Sequence, residues 1–318
     1  MPPASLPLLY PPAVPSPAGI SVIAPASFAK QERIDSGLAN LNALGFAPSP
    51  GVNTLARGPH FFAGSPAQRL ADLHAAFANP NSSAVMALRG GYGSNYLLDN
   101  LDLDLIRRRP KPFFAYSDLT GIQLHLLDHI GLPAFHGPML AADFYLEYGV
   151  HMPSFQSALS GQPYSVGPAE GLRILKPGPS DTPVSGTLYG GCLSILVSLL
   201  GTPWEPQTEG KLLFIEDTGA KPYQIDRMLW QLRHAGKLDG ISGLIFGEML
   251  DCASPGAPPE LLDEVILRVF ENFEGPIAIG LRSGHVSRQN VTLTFGVEAK
   301  LKATDTPKLS ILEPAVHP

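Results

Sequence analysis

The sequence predicts an α/β protein with a parallel sheet in its first half and a second, mixed α/β domain after it. Short apolar runs alternate with segments whose apolar residues recur at helical spacing. A β-α-β-α order of this kind requires parallel strands joined by crossover helices, with helices on both faces of the sheet. Between about residues 153 and 186 the composition shifts to Pro, Gly and Ser, after which the alternation starts again.

Met1 to Gly19 is rich in Pro and Ala and reads as an irregular lead-in. Ile20-Ser21-Val22-Ile23-Ala24 has the length and content of a buried strand. Ile34, Leu38, Leu41 and Leu44 mark one helix, and Leu70, Leu73 and Phe77 mark another. Ala84-Val85-Met86-Ala87-Leu88 is the next strand, and Arg89-Gly90-Gly91-Tyr92-Gly93 follows it into a further helical stretch. Pro112-Phe113-Phe114-Ala115-Tyr116 is a strand that runs directly into Ser117, and Leu119, Ile122, Leu126 and Ile130 mark the helix leaving it. Pro163, Pro168, Pro177, Pro179 and Pro183 punctuate a linker or extended crossing segment. The expected division is a first domain at 1–155, a linker at 156–185 and a second domain at 186–318.

In the second half, Gly190-Gly191-Cys192-Leu193 opens a helical stretch through Leu200. Lys211-Leu212-Leu213-Phe214-Ile215 is a strand ending at Glu216, and Ile225, Met228, Leu229 and Leu232 mark a helix. Ile241 to Phe246 is a strand, and Leu262, Val265, Ile266, Val269 and Phe273 mark a helix. Pro276 to Leu281 is a strand followed by Ser283-Gly284-His285. Val291 to Leu301 alternates as a half-buried strand does, and Lys308 to Leu312 can pair with it.

Composition narrows the function classes. A chain of 318 residues suits two domains and can bury a sizeable core. Its net charge is −6, and Arg107-Arg108-Arg109 reads as a helix C-terminus, so nucleic acid is not an expected partner. Two cysteines, Cys192 and Cys252, lie far apart and suit neither a disulfide framework nor the common zinc spacings. They read as buried thiols in a reducing compartment. The first basic residue is Lys30, so the basic start of a secretory signal is missing, and no apolar run reaches the length of a membrane span. A soluble cytoplasmic protein is the expectation.

Candidate chemistry sits at strand ends. Ser117 reads either as a helix N-cap or as a nucleophile over a helix N-terminus, and Asp118 could also cap. Gly90 and Gly91 either make a tight turn or let backbone N–H groups approach a ligand. The loop is not a dinucleotide fingerprint, because that spacing fails at Tyr96. No P-loop occurs, since the Gly-Lys pairs at Lys211 and Lys237 lack its remaining residues. Glu216 and Asp217 end a strand, and His285 follows another. Taken singly, these acids and this histidine could be a turn and a solvated loop. Taken together, the order Ser117, Glu216, His285 is that of α/β-hydrolase triads, although the Gly-x-Ser-x-Gly elbow is absent.

At these residues the sequence resembles the LD-carboxypeptidase family, serine peptidases that include murein tetrapeptide carboxypeptidase and the microcin-immunity peptidases. Matching stretches run from Val22-Ile23-Ala24-Pro25 to about Lys302. They include Arg89-Gly90-Gly91-Tyr92-Gly93, Tyr116-Ser117-Asp118-Leu119-Thr120 and Gly186-Thr187-Leu188-Tyr189-Gly190-Gly191-Cys192-Leu193-Ser194. Phe214-Ile215-Glu216-Asp217-Thr218-Gly219, Tyr223-Gln224-Ile225-Asp226-Arg227 and Gly284-His285 complete them. The family's nucleophile falls on Ser117, its glutamate on Glu216 and its histidine on His285. Its oxyanion donors fall on backbone N–H groups near Gly91 and at Asp118. The side chain of Arg89 suits a substrate carboxylate as a bidentate partner, with Gly90 beside it as a substrate contact. Two positions depart from the family pattern: Ala115 replaces a usual glycine, and Cys192 replaces a usual asparagine.

The resemblance implies a flavodoxin-like or class I amidotransferase-like first domain and a swivelling second β/α domain, with the triad assembled across their interface. It implies a homodimer, no metal or organic cofactor, and a small peptide substrate with no nucleic acid or membrane partner. The expected activity is a cytoplasmic serine carboxypeptidase that releases the terminal D-alanine of a murein tetrapeptide in peptidoglycan recycling. A second branch of the family cleaves a peptidyl-nucleotide or another acylated small molecule, using an interdomain aromatic clamp. Here Trp204 and Trp230 fall outside the linker and read as core residues. A non-enzymatic muropeptide binder would not need all three of Ser117, Glu216 and His285.

Overall fold

The apolar runs of the first half become one sheet in the computed structural model, which describes residues 6–253, 256, 258 and 260–317. Strand β1 (Ala18–Ile23) leads through α1 (Gln31–Ala43) to β2 (Phe46–Pro50), and α2 (Pro66–Ala78) leads to β3 (Ala84–Ala87). A 3-10 turn over Ser94–Asn100 and α3 (Leu103–Arg108) precede β4 (Phe113–Ala115), and α4 (Thr120–Ile130) carries the chain to β5 (Ala134–His136). These five strands are parallel in the order β2-β1-β3-β4-β5. That is the flavodoxin-like order, which places ligands at the carboxyl ends of the strands. Successive side chains point to opposite faces. Met86 and Phe114 therefore join the core shared with the second sheet, while Val85, Phe113 and Ala115 pack under the helices of the other face.

The second half contributes α5 (Met152–Ser160), β6 (Tyr164–Val166), β7 (Arg173–Lys176), β8 (Val184–Cys192) and α6 (Leu193–Ser198). It continues with β9 (Lys211–Glu216), α7 (Pro222–His234), β10 (Gly243–Gly247), α8 (Leu261–Val269) and β11 (Ile277–Leu281). Strands β12 (Leu293–Phe295), β13 (Glu298–Lys302) and β14 (Lys308–Ile311) end it. The second sheet runs β6-β14-β13-β8-β9-β10-β11-β7. Its four middle strands, β8 to β11, are parallel, and the outer ones pair antiparallel.

Several expectations change. Residues 156–185 do not form a free linker: β6 and β7 are the two edge strands of the second sheet. Edge strands tolerate proline and polar residues, which is why this stretch reads as loop. Gly190 to Cys192 does not open a helix; it ends β8, and α6 starts at Leu193. Val291 to Leu301 is two strands, not one. The chain turns at Gly296, so that β12 pairs with β5 in the first sheet while β13 pairs with β8 in the second. The second domain therefore supplies a strand to the first. β2 and β5 escaped the sequence reading, β2 because Phe46-Ala47-Pro48-Ser49-Pro50 is an exposed edge, and β5 because three residues give no periodicity. Of the lead-in, residues 1–5 lie outside the described residues, and Ala18 and Gly19 already belong to β1. Trp230 is exposed on α7 and is not a core residue.

The two sheets share one core. Phe214 of β9 and Phe295 of β12 pack 6.1 Å apart, and both contact the His136 ring on β5, at 5.3 and 5.2 Å. Tyr189 Oη donates to Asp128 at 2.7 Å, and the Cys192 N–H donates to Thr120 Oγ1 at 3.2 Å, tying β8 to α4. Cys192 and Cys252 are both buried free thiols. Among the described residues, no helix is long and apolar enough to cross a membrane. Phe295→Ala should lower the unfolding free energy by about 3–5 kcal/mol, as large-to-small core changes do. Urea unfolding measures this, and a loss below about 1 kcal/mol would contradict a core shared through β12.

Candidate active site

Tyr116 leaves β4 in extended conformation, and Ser117 then takes a left-handed backbone at φ +65°. A residue with a Cβ held there costs roughly 1–3 kcal/mol, and such strain concentrates at functional sites. The N-cap reading of Ser117 is not what the structure has: neither the turn at Ser117–Leu119 nor α4 receives a side-chain cap. Asp118 does not cap α4 either. Its buried carboxylate accepts the Ser94 N–H at 2.8 Å, and Ser94 Oγ donates to the Asp118 carbonyl at 2.6 Å. These bonds lock the strained turn to the loop that follows β3.

That loop lies over the serine. A Cβ at Gly90 would sit 2.7 Å from Ser117 Cβ and 2.9 Å from its Oγ, so only glycine allows this approach. Ser27, in the loop after β1, holds the glycine loop: its N–H donates to the Gly90 carbonyl at 3.3 Å, and its Oγ accepts the Tyr92 N–H at 3.2 Å. The buried Arg69 donates to the carbonyls of Pro25 and Gly93, each at 2.7 Å. The amides of Gly91 and Asp118 make no hydrogen bond among the described residues, so both stay available as donors. Arg89 is exposed beside them, with no ion pair among the described residues.

Glu216 ends β9 with a side chain that is 0% exposed, while that of His285 is 21% exposed. Glu216 Oε2 accepts both from His285 Nδ1 at 2.7 Å and from the His285 N–H at 3.0 Å. A Cβ at Gly284 would lie 2.5 Å from the Glu216 carboxyl carbon, so the His285 loop can settle on the carboxylate only with glycine there. Burial pushes Glu216 up, but the charge and hydrogen bonds of His285 outweigh it and hold the carboxyl below its usual range. Burial pulls His285 down, and Glu216 overrides it, so the imidazole titrates above its ordinary value.

The His285 ring stands edge-on to Tyr116, with centroids 5.2 Å apart. The pair from the second sheet thus meets the strand end that presents Ser117. Ser117 Oγ and His285 are not hydrogen-bonded to each other. Three supporting residues carry no sequence signal. Asn290 accepts the Gly284 N–H at 3.0 Å and donates to the Gly284 carbonyl and to Asp143 Oδ1, each at 3.1 Å. Burial pushes Asp143 up to about 6 against these bonds. His136 is fully buried beside Glu216, and burial pushes it down to about 4, so it is neutral. Of the groups able to ligate a metal, Cys192, Glu216 and His285 cluster within 4.8 Å of one another among the described residues.

Models of the LD-carboxypeptidase N-terminal and C-terminal domains match residues 20–137 and 185–301. A probable murein peptide carboxypeptidase of Bacillus subtilis is 35% identical over 93% of this chain and 92% of its own. The microcin C7 self-immunity protein MccF of Escherichia coli is 29% identical over 91% of each chain. The crystal structure of muramoyltetrapeptide carboxypeptidase from Oxalobacter formigenes matches with a TM-score of 0.81 at 29% identity, over 93% of this chain and 99% of that one.

By NMR, the His285 ring should titrate above 6.5 in the wild type. In Glu216→Gln the carboxylate no longer stabilises the imidazolium and burial remains, so the midpoint should fall below that value. Equal midpoints in the two proteins would contradict the pairing.

Proposed function

The chain belongs to the LD-carboxypeptidase family and is a serine carboxypeptidase; from that premise we propose that it releases the terminal D-alanine of a murein tetrapeptide in cytoplasmic peptidoglycan recycling. We further propose Ser117 as nucleophile, His285 as general acid and base, and Glu216 as the group that orients and charges the imidazole. The observation that carries this reading is the left-handed Ser117, pressed under Gly90 and flanked through Tyr116 by the Glu216–His285 pair.

In the proposed reaction, Ser117 Oγ attacks the carbonyl carbon of the L,D amide, and its proton passes to His285 Nε2. The oxyanion accepts from the Gly91 and Asp118 amides, which have no other partner among the described residues. His285 gives the proton to the amide nitrogen as the C–N bond breaks, and D-alanine leaves. Water then attacks the acyl-enzyme, and His285 takes its proton and returns it to Ser117 Oγ. The Ser117–His285 contact closes when substrate binds, as catalytic hydrogen bonds that are long in free enzymes commonly do. Arg89, exposed beside the loop and without an ion pair among the described residues, takes the terminal carboxylate as a bidentate donor, with Gly90 leaving it room. We assign the working form as a homodimer, without metal or organic cofactor, acting on a small peptide and on neither nucleic acid nor membrane.

One observation favours a second reading, hydrolysis of a peptidyl-nucleotide or other acylated small molecule. Trp204 and Tyr92 line a cavity of about 270 Å³ beside Asp118 and Gly121, an aromatic wall of the kind that stacks a base. Incubation with L-Ala-γ-D-Glu-diaminopimelate-D-Ala should give the tripeptide by mass, faster than any acyl-nucleotide is cleaved; the reverse preference would select the second reading. Ser117→Ala should lower turnover by about four orders of magnitude or more, and near-normal turnover would end the mechanism. EDTA should leave turnover unchanged. Loss on chelation that is restored by added metal would contradict a serine enzyme.

A further inference from the structure

Cys192 ends β8 as the register partner of Glu216 on β9. Its Sγ, a Glu216 carboxylate oxygen and a His285 ring nitrogen all lie within 4.8 Å of one another. After His285 takes Oε2, Glu216 Oε1 remains fully buried and makes no hydrogen bond among the described residues. One oxygen of this carboxylate is therefore left without a partner among the described residues, in a side chain that clusters with a thiol and an imidazole. Thiolate, imidazole and carboxylate are the donors that zinc and similar borderline-soft cations take. Tetrahedral zinc spaces such donors about 3.3–3.6 Å apart, so no pair needs to close by more than about 1.5 Å. Cys192 and Glu216 form the buried floor, and the partly exposed His285 gives the route in.

We propose that Cys192, Glu216 and His285 form an inhibitory site for a thiophilic divalent cation, with zinc as the representative. Binding expels the thiol proton to solvent and makes one bond to sulfur, one to nitrogen and one to oxygen, with water completing the shell. A cation on Nε2 occupies the lone pair that takes the serine proton; a cation on Nδ1 replaces the proton donated to Glu216, which passes to Nε2 and occupies that same lone pair. In either case the imidazole no longer serves as the base. The effect on turnover rests on the assignment of His285 as that base, whereas cation binding does not.

The test uses the full chain and two readouts. Cadmium added to the metal-free protein should produce the ultraviolet thiolate-to-cadmium charge-transfer band in the wild type and in Cys252→Ala. The band should be lost in Cys192→Ser and Cys192→Asn, with circular dichroism checking that each variant is folded. Zinc should inhibit the wild type reversibly by chelator. The half-inhibiting concentration, taken against each variant's own metal-free rate, should rise at least about tenfold in both Cys192 variants. A band that survives in the Cys192 variants, no band at saturating cadmium, or zinc inhibition equal in wild type and variants would overturn the proposal. Because the band is read without substrate, failure of the substrate assignment and failure of the cation site are separable.

Discussion

The Glu216 carboxylate is wholly removed from water, and a buried charge is tolerated only when it is paired and hydrogen-bonded. His285 supplies both a ring N–H and a backbone N–H to one of its oxygens. Much of the surrounding architecture serves that contact. Gly284 lets the backbone lie on the carboxylate, Asn290 clamps the Gly284 peptide on both sides, and Asp143 holds Asn290. Asp143 comes from the segment after β5 and Glu216 from β9, so the clamp joins the two halves of the chain.

The same joining is built into the backbone. β12 leaves the second half to pair with β5, and β8 reaches α4 through Cys192 and Thr120. The phenylalanines and the neutral His136 fill the space between the sheets. The interface between the two sheets is packed apolar core. The strain at Ser117 persists for a related reason: Asp118, Ser94 and the Gly90 loop fix the turn from outside it.

Much of this was legible in the sequence where local chemistry is strong. Phe113-Phe114-Ala115 announces a central strand because both of its faces are buried, and Leu119, Ile122, Leu126 and Ile130 announce the helix behind it. Ser117, Glu216 and His285 each stand at or just after the end of a separate apolar strand, which marks them in the sequence. What stayed hidden depends on partners distant in the chain. Nothing local tells that Gly296 sends its two flanking strands to different sheets, or that Tyr164–Val166 completes an edge by pairing with β14. Asn290 and Asp143 look like ordinary loop residues until they are 3.1 Å apart across 147 positions. The positive φ of Ser117 is equally invisible, since the residue type gives no sign of it.

The central claim is that Ser117 on the first sheet and His285 on the second act as one catalytic unit. A double-mutant cycle on tetrapeptide hydrolysis tests it most directly. If they act together, Ser117→Ala with His285→Ala should be no more than about threefold slower than the worse single variant, because removing either member already abolishes the shared step. If instead the two losses multiply, the residues act independently, and a single site spanning both sheets would be wrong.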